Sequence, residues 1–489
     1  MRTKVYGAPG TGKTETLKKF MMQALGYANF DLPLEHVVPP EKLSVVSFSN
    51  TAVNEFASRV GLRAKGSVGS RTRYFRTVHG LAEIVLLDSG LLEKEKAKIF
   101  SDRAQEHIKA TFCRWYGVPY SRDPFSNLKG NVYFTELTRL INLYYPVVED
   151  EVVDLHPEPK FAKAYFTWKK HKKLYDYNDL LVMAYKHREE LSVPVKTAIV
   201  DECQDLSPLQ WAVLFSLFKD VEDFVFAGDD LQSIYTFAGS SAEIFLDLKS
   251  DEEIVLERSY RLGVGTWAFS QQFATTLNRK KLKAYVPDHE EGDVYFEGYK
   301  YSLRRAVEYA LRGKRVFILT RTNTIAVKVM KDLISDFKVI PSTVKDPPVF
   351  LERITRSYDA FHGKINSKVK LLEKELDILV ELVKSGKDLR KKLFVDTVHA
   401  VKGMEADLVV LVNSLHTNAI KMENDDEKRA FYVGSTRSRY DVYITHMSRF
   451  PRWFEDDFLE DVLEKSERWK DAIIGLKLKQ KERTKNKAV

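Results

Sequence analysis

Gly7-Ala8-Pro9-Gly10-Thr11-Gly12-Lys13-Thr14 decides how the rest of this chain is read. The octapeptide follows Arg2–Tyr6, a run long enough only for a short strand, and precedes Glu15–Leu25, which reads as a helix. A glycine-rich turn between strand and helix lets backbone N–H groups face phosphate oxygens, and the helix N-terminus adds favourable partial charge. In that setting Lys13 can reach β- and γ-phosphates, and the Thr14 hydroxyl can ligate Mg²⁺. Gly7, Ala8, Pro9, Gly10, Thr11, Gly12, Lys13 and Thr14 are therefore the expected nucleotide-binding residues.

A second element completes the chemistry. Ile199-Val200-Asp201-Glu202-Cys203-Gln204-Asp205 is an apolar strand that ends in adjacent carboxylates. Beside a phosphate loop, Asp201 is suited to hold Mg²⁺ and Glu202 to orient and deprotonate an attacking water. The pair makes ATP hydrolysis the leading expectation, with ATP and Mg²⁺ as cofactors. Gln232, in Gly228-Asp229-Asp230-Leu231-Gln232, follows another apolar run and is expected to sense the γ-phosphate through its amide. Arg261 and Arg437 are candidates for stabilising transition-state charge, because a guanidinium makes bidentate contacts to phosphate and stays charged.

With 489 residues the chain is too long for one core, so several domains are expected. Lys and Arg total 77 against 69 Asp and Glu, a mild excess that permits an anionic partner. The two cysteines, Cys113 and Cys203, do not make a disulfide framework. No apolar run reaches membrane-spanning length, and the amino-terminal phosphate loop is not a signal peptide. The expectation is a soluble cytoplasmic protein with no membrane partner.

Apolar, β-branched runs at Leu43–Phe48, Thr197–Val200, Phe224–Ala227, Val316–Thr320, Leu393–Val395 and Leu408–Val412 alternate with helical patterns. That order predicts an α/β fold with parallel sheets, whose ligands sit at the carboxyl ends of strands. Leu81–His171 is rich in helix formers and aromatics and reads as a helical insertion. Val369–Lys391 has leucines at helical spacing and predicts an amphipathic packing helix. Lys477–Val489 is a lysine-rich tail.

The chain resembles the superfamily 1 DNA helicases of the UvrD/PcrA/Rep type. The phosphate loop matches their first motif, and Ser47–Phe56 (SFSNTAVNEF) looks like T-F-T-N-x-A-A-x-E-M. Thr77-Val78-His79-Gly80 resembles T-x-H-G, Asp176–Leu181 resembles D-F-x-D-L-L, and Asp201–Asp205 matches D-E-x-Q-D. Gly228–Gly239 is similar to G-D-x-x-Q-S-I-Y with its later aromatic and glycine, and Tyr260-Arg261 to the Y-R motif. Arg321-Thr322-Asn323 resembles R-[ST]-N, Thr397–Glu405 resembles T-x-H-x-x-K-G-x-E, and Tyr432–Arg437 resembles Y-V-x-x-T-R. The matches run in order along nearly the whole chain.

The resemblance implies two RecA-like parallel-sheet motor domains of the P-loop NTPase class, with a helical insertion in the first. The expected layout is 1–80 with 176–255 as domain 1A, 81–175 as insertion 1B, 256–334 with 390–470 as domain 2A, 335–389 as a short helical 2B remnant, and 471–489 as a basic tail. ATP is expected in the cleft, with Lys13, Thr14, Asp201, Glu202 and Gln232 from one side and Arg261 and Arg437 from the other. Tyr260 is expected to stack on adenine and Glu405 to lie near the ribose. Phe48, Asn50, His79, Tyr235, Phe237, Asn323, Thr397 and His399 are expected to contact single-stranded DNA through ring stacking and hydrogen bonds.

The resemblance further implies a monomeric 3′-to-5′ helicase that acts on single-stranded DNA and on junctions with duplex, with a loading or repair partner. Three departures accompany it. The Gln-bearing adenine motif is not found in residues 1–6, which lowers the expected adenine specificity. Phe237-Ala238 stands where the family has Trp-Arg, which keeps a stacking ring and loses a cation. The interval between Asn323 and Thr397 is short, which implies a minimal motor. A single-strand translocase that strips bound proteins and a catalytically weak binding scaffold are the alternatives; intact Lys13, Glu202, Arg261 and Arg437 argue against the scaffold.

Overall fold

A computed structural model of the chain describes residues 1–47, 50–59, 72–93, 100–122, 128–144, 149–278, 280–344, 347–365, 371–413, 425–447 and 465. They form two compact units that divide in sequence between Glu257 and Arg258.

The first unit is built on strands β1 (Arg2–Tyr6), β2 (Leu43–Val46), β3 (Phe75–Arg76), β4 (Thr197–Val200), β5 (Asp223–Gly228) and β6 (Glu252–Val255). All pair in parallel, in the spatial order β3-β2-β4-β5-β1-β6. Parallel sheets are covered on both faces, so their strands read as continuous apolar runs. Within each strand, neighbours still go to different cores because side chains alternate between faces. Val46, Val200, Phe224 and Phe226 join one cluster, while Val45, Ile199, Val225 and Ala227 join the other, with Leu17, Phe20 and Met21.

Expected boundaries shift by one or two residues, at β5, at the strands Leu393–Thr397 and Ala406–Asn413, and most tellingly at the phosphate-loop helix and β2. The helix after the phosphate loop runs from Lys13 to Ala24 rather than from Glu15 to Leu25, because Gly12 takes a left-handed conformation (φ 79°) and turns the chain directly into the first helical residue. The strand expected over Leu43–Phe48 ends at Val46, and Phe48 lies outside the described residues.

Helices at Val78–Asp88, Asp102–Tyr116, Lys129–Leu143, Glu149–Leu155 and Pro159–Lys172 occupy the expected insertion. They share the core on the Val46/Phe226 face of the sheet. Phe112 is its aromatic hub, with ring centroids of Tyr165, Phe161 and Trp168 at 5.0, 5.2 and 5.5 Å.

The Asp176–Leu181 motif finds a structural explanation here. Asp176 caps the helix Tyr177–Lys186 in a reciprocal capping box with Asp179. The buried Lys169 ammonium donates to Asp176 Oδ2 at 2.6 Å and to Asp179 Oδ2 at 2.7 Å, and the Tyr165 hydroxyl donates to Asp176 Oδ2 at 3.0 Å. The ion cluster therefore ties the Pro159–Lys172 helix to the start of the next one.

The second unit carries β7 (Arg258–Gly263), β8 (Val286–His289), β9 (Val294–Phe296), β10 (Val316–Thr320), β11 (Val339–Ile340), β12 (Lys387–Asp388), β13 (Leu393–Thr397), β14 (Ala406–Asn413) and β15 (Ser438–His446). Five of them form a parallel sheet in the order β13-β10-β14-β15-β9. β7 pairs with β8, and β11 with β12.

The amphipathic helix expected over Val369–Lys391 is shorter, Glu373–Ser385. It stops at Gly386, whose N–H still bonds the Leu382 carbonyl but whose backbone is extended (φ −73°, ψ 156°), and the chain then enters β12. This helix and Val349–Phe361 send Leu382, Leu351 and Ile354 into the same core as Val316, Ile318 and Val395.

Removing the Lys169 charge leaves the buried Asp176 carboxylate and the partly buried Asp179 carboxylate uncompensated, which costs roughly 3–5 kcal/mol. Lys169→Ala should therefore lower the urea midpoint of the first unit strongly. A shift worth less than about 1 kcal/mol, as for an exposed pair, would contradict the clamp.

Candidate functional site

In the first unit every chemically notable loop leaves the carboxyl end of a parallel strand. The phosphate loop follows β1, Asn50 follows β2, His79 follows β3, Asp201 and Glu202 follow β4, and Asp229 to Phe237 follow β5. Parallel pairing alone brings these loops to one edge.

The phosphate loop is held from within. Gly7 N–H donates to the Gly228 carbonyl at 3.2 Å, and the Ala8 carbonyl accepts both the Thr11 N–H at 3.2 Å and the Thr11 hydroxyl at 2.8 Å. Gly10 and Gly12 adopt φ of 74° and 79°, a conformation that favours glycine. Thr14 is the second residue of the following helix.

Lys13 Nζ lies 2.9 Å from Glu202 Oε1 and 3.5 Å from Asp201 Oδ1. Burial pulls the Lys13 ammonium down, and the charges of Glu202, Asp201 and Asp229 override it, so its pKa rises above the ordinary lysine value. Burial raises the Asp201 carboxyl to about 6; Lys13 lowers it and the Glu202 charge adds to the rise.

Glu202 sits at φ 54°, ψ 41°, a left-handed conformation that costs energy in a residue with a side chain. Its N–H donates to Asp201 Oδ1 at 2.8 Å, and its Oε2 accepts from Gln204 Nε2 at 2.5 Å. Gln204 was not singled out from sequence, although it stands inside the D-E-x-Q-D motif. Its Oε1 accepts the Asp229 N–H at 3.0 Å, and its carbonyl accepts the Ser233 hydroxyl at 3.1 Å, so it joins the loops after β4 and β5. A side chain at Gly228 would meet Gln204 Oε1 at 2.6 Å, which explains that glycine. Gln232 is buried and donates through Nε2 to Asp229 Oδ2 at 2.7 Å.

The expected DNA-contact residues of this unit divide. Phe237 is 46% exposed, and its ring centroid lies 6.1 Å from that of Tyr235, which is partly buried. His79 packs edge-on against Tyr177 at 5.8 Å between centroids. Burial holds its imidazole down at about 4, although the Asp176 charge pulls the other way. Asn50 begins the helix Asn50–Arg59. Phe48 and the Asn50 side chain lie outside the described residues.

The second unit carries Glu405 and Arg437 at one end of its five-stranded sheet, Asn323, Thr397 and His399 at the other, and Tyr260 and Arg261 on the separate strand β7. Glu405 and Arg437 immediately precede β14 and β15, at the amino end. Arg261 Nε donates to Glu405 Oε2 at 3.0 Å, and Arg439 also pairs with Glu405. Burial pushes the Glu405 carboxyl up, but Arg439 and Arg261 together hold it below its ordinary value. Arg437 is 1% exposed; its Nε donates to the Val433 carbonyl at 3.0 Å and its Nη1 to the Met404 carbonyl at 3.4 Å. Tyr260, on β7, is 64% exposed.

Asn323, Thr397 and His399 lie at the other end, where β10 and β13 finish in register at Thr320 and Thr397. Arg321 is held there by a bidentate pair with Glu427, at 2.6 to 2.9 Å. Glu427 belongs to the helix Asp425–Ser435, which leads directly to Arg437. Sequence reading missed Glu427 and Arg439, because a carboxylate or guanidinium outside a motif carries no signal until the fold supplies its partner.

A family description for the UvrD/REP helicase N-terminal domain matches residues 1–253, just over half of the chain. The chain belongs to the UvrD/Rep helicase family. The description for the UvrD-like helicase C-terminal domain matches residues 351–449. The "Probable DNA helicase" of Mycoplasma pneumoniae is 23% identical, over 94% of this chain and 84% of its own length. The "Putative ATP-dependent DNA helicase YjcD" of Bacillus subtilis is 25% identical over 53% of this chain. The "ATP-dependent DNA helicase Rep" of Buchnera aphidicola is 24% identical over 53% of this chain. The matches to the last two span only 34% and 38% of their own lengths. Among the described residues, no helix is long and apolar enough to cross a membrane.

In this UvrD/Rep-family chain the His79 site has a pH consequence. The unfolded chain protonates histidine near 6.5 and the folded chain protonates His79 near 4, so the folded state binds fewer protons in between. The stability carried by neutral His79 is complete above about 6.5 and is lost as pH falls towards 4. The urea midpoint should fall less steeply across that window in His79→Phe than in the native chain. Equal slopes would assign the proton uptake to other groups.

Proposed function

We propose that this chain is an ATP-dependent DNA helicase that moves 3′ to 5′ along single-stranded DNA and separates duplex at junctions. The observation that carries the proposal is the Lys13–Glu202–Asp201 cluster at the carboxyl edge of the first sheet, with the Lys13 ammonium 2.9 Å from Glu202. An arriving triphosphate competes with these carboxylates for Lys13, so binding of nucleotide releases Glu202 to act as a base. Glu202 takes the proton of a water whose oxygen bonds to the γ-phosphorus, while the bond from phosphorus to the β-bridging oxygen breaks.

The Thr14 hydroxyl and the Asp201 carboxylate are hard oxygen donors suited to Mg²⁺. When bound, the ion neutralises charge on the phosphates. Gln232, fixed by Asp229, orients towards the γ-phosphate. Arg261 and Arg437 are assigned to the charge that develops there, Tyr260 to the adenine face, and Glu405 to positioning Arg261, through the 3.0 Å pair, in addition to the ribose.

β14 has eight residues, so the nucleotide-facing and strand-facing ends of the second sheet are separated by about 26 Å. A sheet buried on both faces moves as a unit, and a shift at Arg437, or at Arg261 through its pair with Glu405, is delivered to Asn323, Thr397 and His399. Phe48, Asn50, His79, Tyr235 and Phe237 are assigned to the strand in the first unit. The polarity rests on the resemblance of Ser47–Phe56 and Tyr432–Arg437 to the 3′-to-5′ branch. A second reading, a translocase with little unwinding, draws support from the helices Val349–Phe361 and Glu373–Ser385, which pack into the second unit's own core.

Strand displacement on duplexes with a 3′ tail, a 5′ tail or no tail tests the proposal. Displacement from the 3′ tail alone is expected. Displacement from the 5′ tail would overturn the polarity, and DNA-stimulated hydrolysis without displacement would favour the translocase. Glu202→Gln should lower turnover by roughly 10²–10⁴-fold and keep nucleotide binding; unchanged turnover would remove Glu202 from its role.

A further inference from the structure

Trp115 is 63% exposed in the last turn of the helix Asp102–Tyr116, three residues beyond the fully buried Phe112. Its side chain walls an open pocket of about 430 Å³. That volume is inside the roughly 300–1,000 Å³ of small-molecule sites. The opposite wall is the helix Pro159–Lys172, which contributes Lys160, Lys163, Ala164, Thr167 and His171, with Trp168 at the base.

These positions recur at helical spacing and form one stripe. Ala164 and Thr167 are small, so the floor is low between the indole and the cationic rim. Among the described residues no carboxylate lines the pocket. The neighbouring Lys170 is already matched by Glu149 at 2.7 Å, whereas Lys160 and Lys163 have no ion-pair partner among the described residues.

An exposed indole beside unmatched lysines has the chemistry of a single-strand contact, in which a base stacks on an aromatic face and cations follow the backbone. A duplex offers no free base face along its length. An acidic peptide would use the lysines and leave the indole without a stacking partner. We propose that this pocket holds one base of a single DNA strand, stacked on Trp115, with the flanking phosphates at Lys160 and Lys163. The site rests on the DNA reading above, yet it uses none of the residues assigned there.

The test is fluorescence anisotropy of labelled oligothymidylate of about 20 nucleotides with the full chain, across a salt series. Trp115→Ala should weaken binding by roughly 5- to 150-fold, the equivalent of one lost base stack. Trp115→Phe should retain most of the affinity. The Lys160→Glu, Lys163→Glu double variant should reduce the log-affinity slope against log salt by about 1.4, as two fewer phosphates are met. ATP hydrolysis without DNA should be unchanged in all three.

Trp115→Ala binding within twofold of the native chain, while Asn323→Ala binds weakly, would overturn this site and leave the helicase reading standing. Native protein that fails to bind the oligonucleotide would overturn both. Polyglutamate that displaces the oligonucleotide from native protein but not from Trp115→Ala would overturn the proposal in favour of an acidic protein partner.

Discussion

Parallel strand pairing is the constraint on which the rest of this molecule depends. In the main sheet of each unit it sends every strand's carboxyl end to one edge, so residues far apart in sequence meet without being neighbours in the chain. Tyr6 pairs with Gly228, and Val46 with Val200. That register alone delivers the phosphate loop, Asp201, Glu202 and Gln232 to one place. It also demands cover on both faces, which is why the sheet of the first unit separates two apolar clusters and why the helical insertion has a core to join.

The charge arrangement follows from that edge. Lys13 is nearly buried and stays charged because Glu202 and Asp201 stand beside it; the carboxylates are tolerated for the same reason. The cluster is poised, since each member has a partner that an anionic phosphate or a hard cation can replace. Glu202 is fixed by Gln204 and by an unfavourable backbone conformation, so its carboxylate direction is set by the surrounding loops rather than by its own preference.

The second unit separates its candidate residues along the strand axis. Tyr260, Arg261, Glu405 and Arg437 gather around the amino ends of β14 and β15 and the adjoining β7, while Asn323, Thr397 and His399 stand at the carboxyl ends of β10 and β13. The helix Asp425–Ser435 runs between these ends, tied to Arg321 through Glu427 and continuing into Arg437.

By itself the sequence determined the α/β class, most of the central strands, the phosphate loop and its partner carboxylates, because each depends on local pattern: apolar runs, glycines that permit left-handed turns, and acids at a strand end. Only the tertiary structure decided that the Asp176–Leu181 motif is a clamp around Lys169, that Arg261 is held by Glu405, and that Gln204 joins two loops. Those pairings join residues distant in sequence, and no local pattern encodes which charge meets which. β15 escaped sequence reading for a related reason: its polar start, Ser438-Arg439-Tyr440-Asp441, becomes a strand only because β14 pairs with it at Ser438 and Asp441. The helix expected to Lys391 ended at Ser385 because the chain turns extended at Gly386 and its next two residues pair with β11, a partner that no local pattern announces.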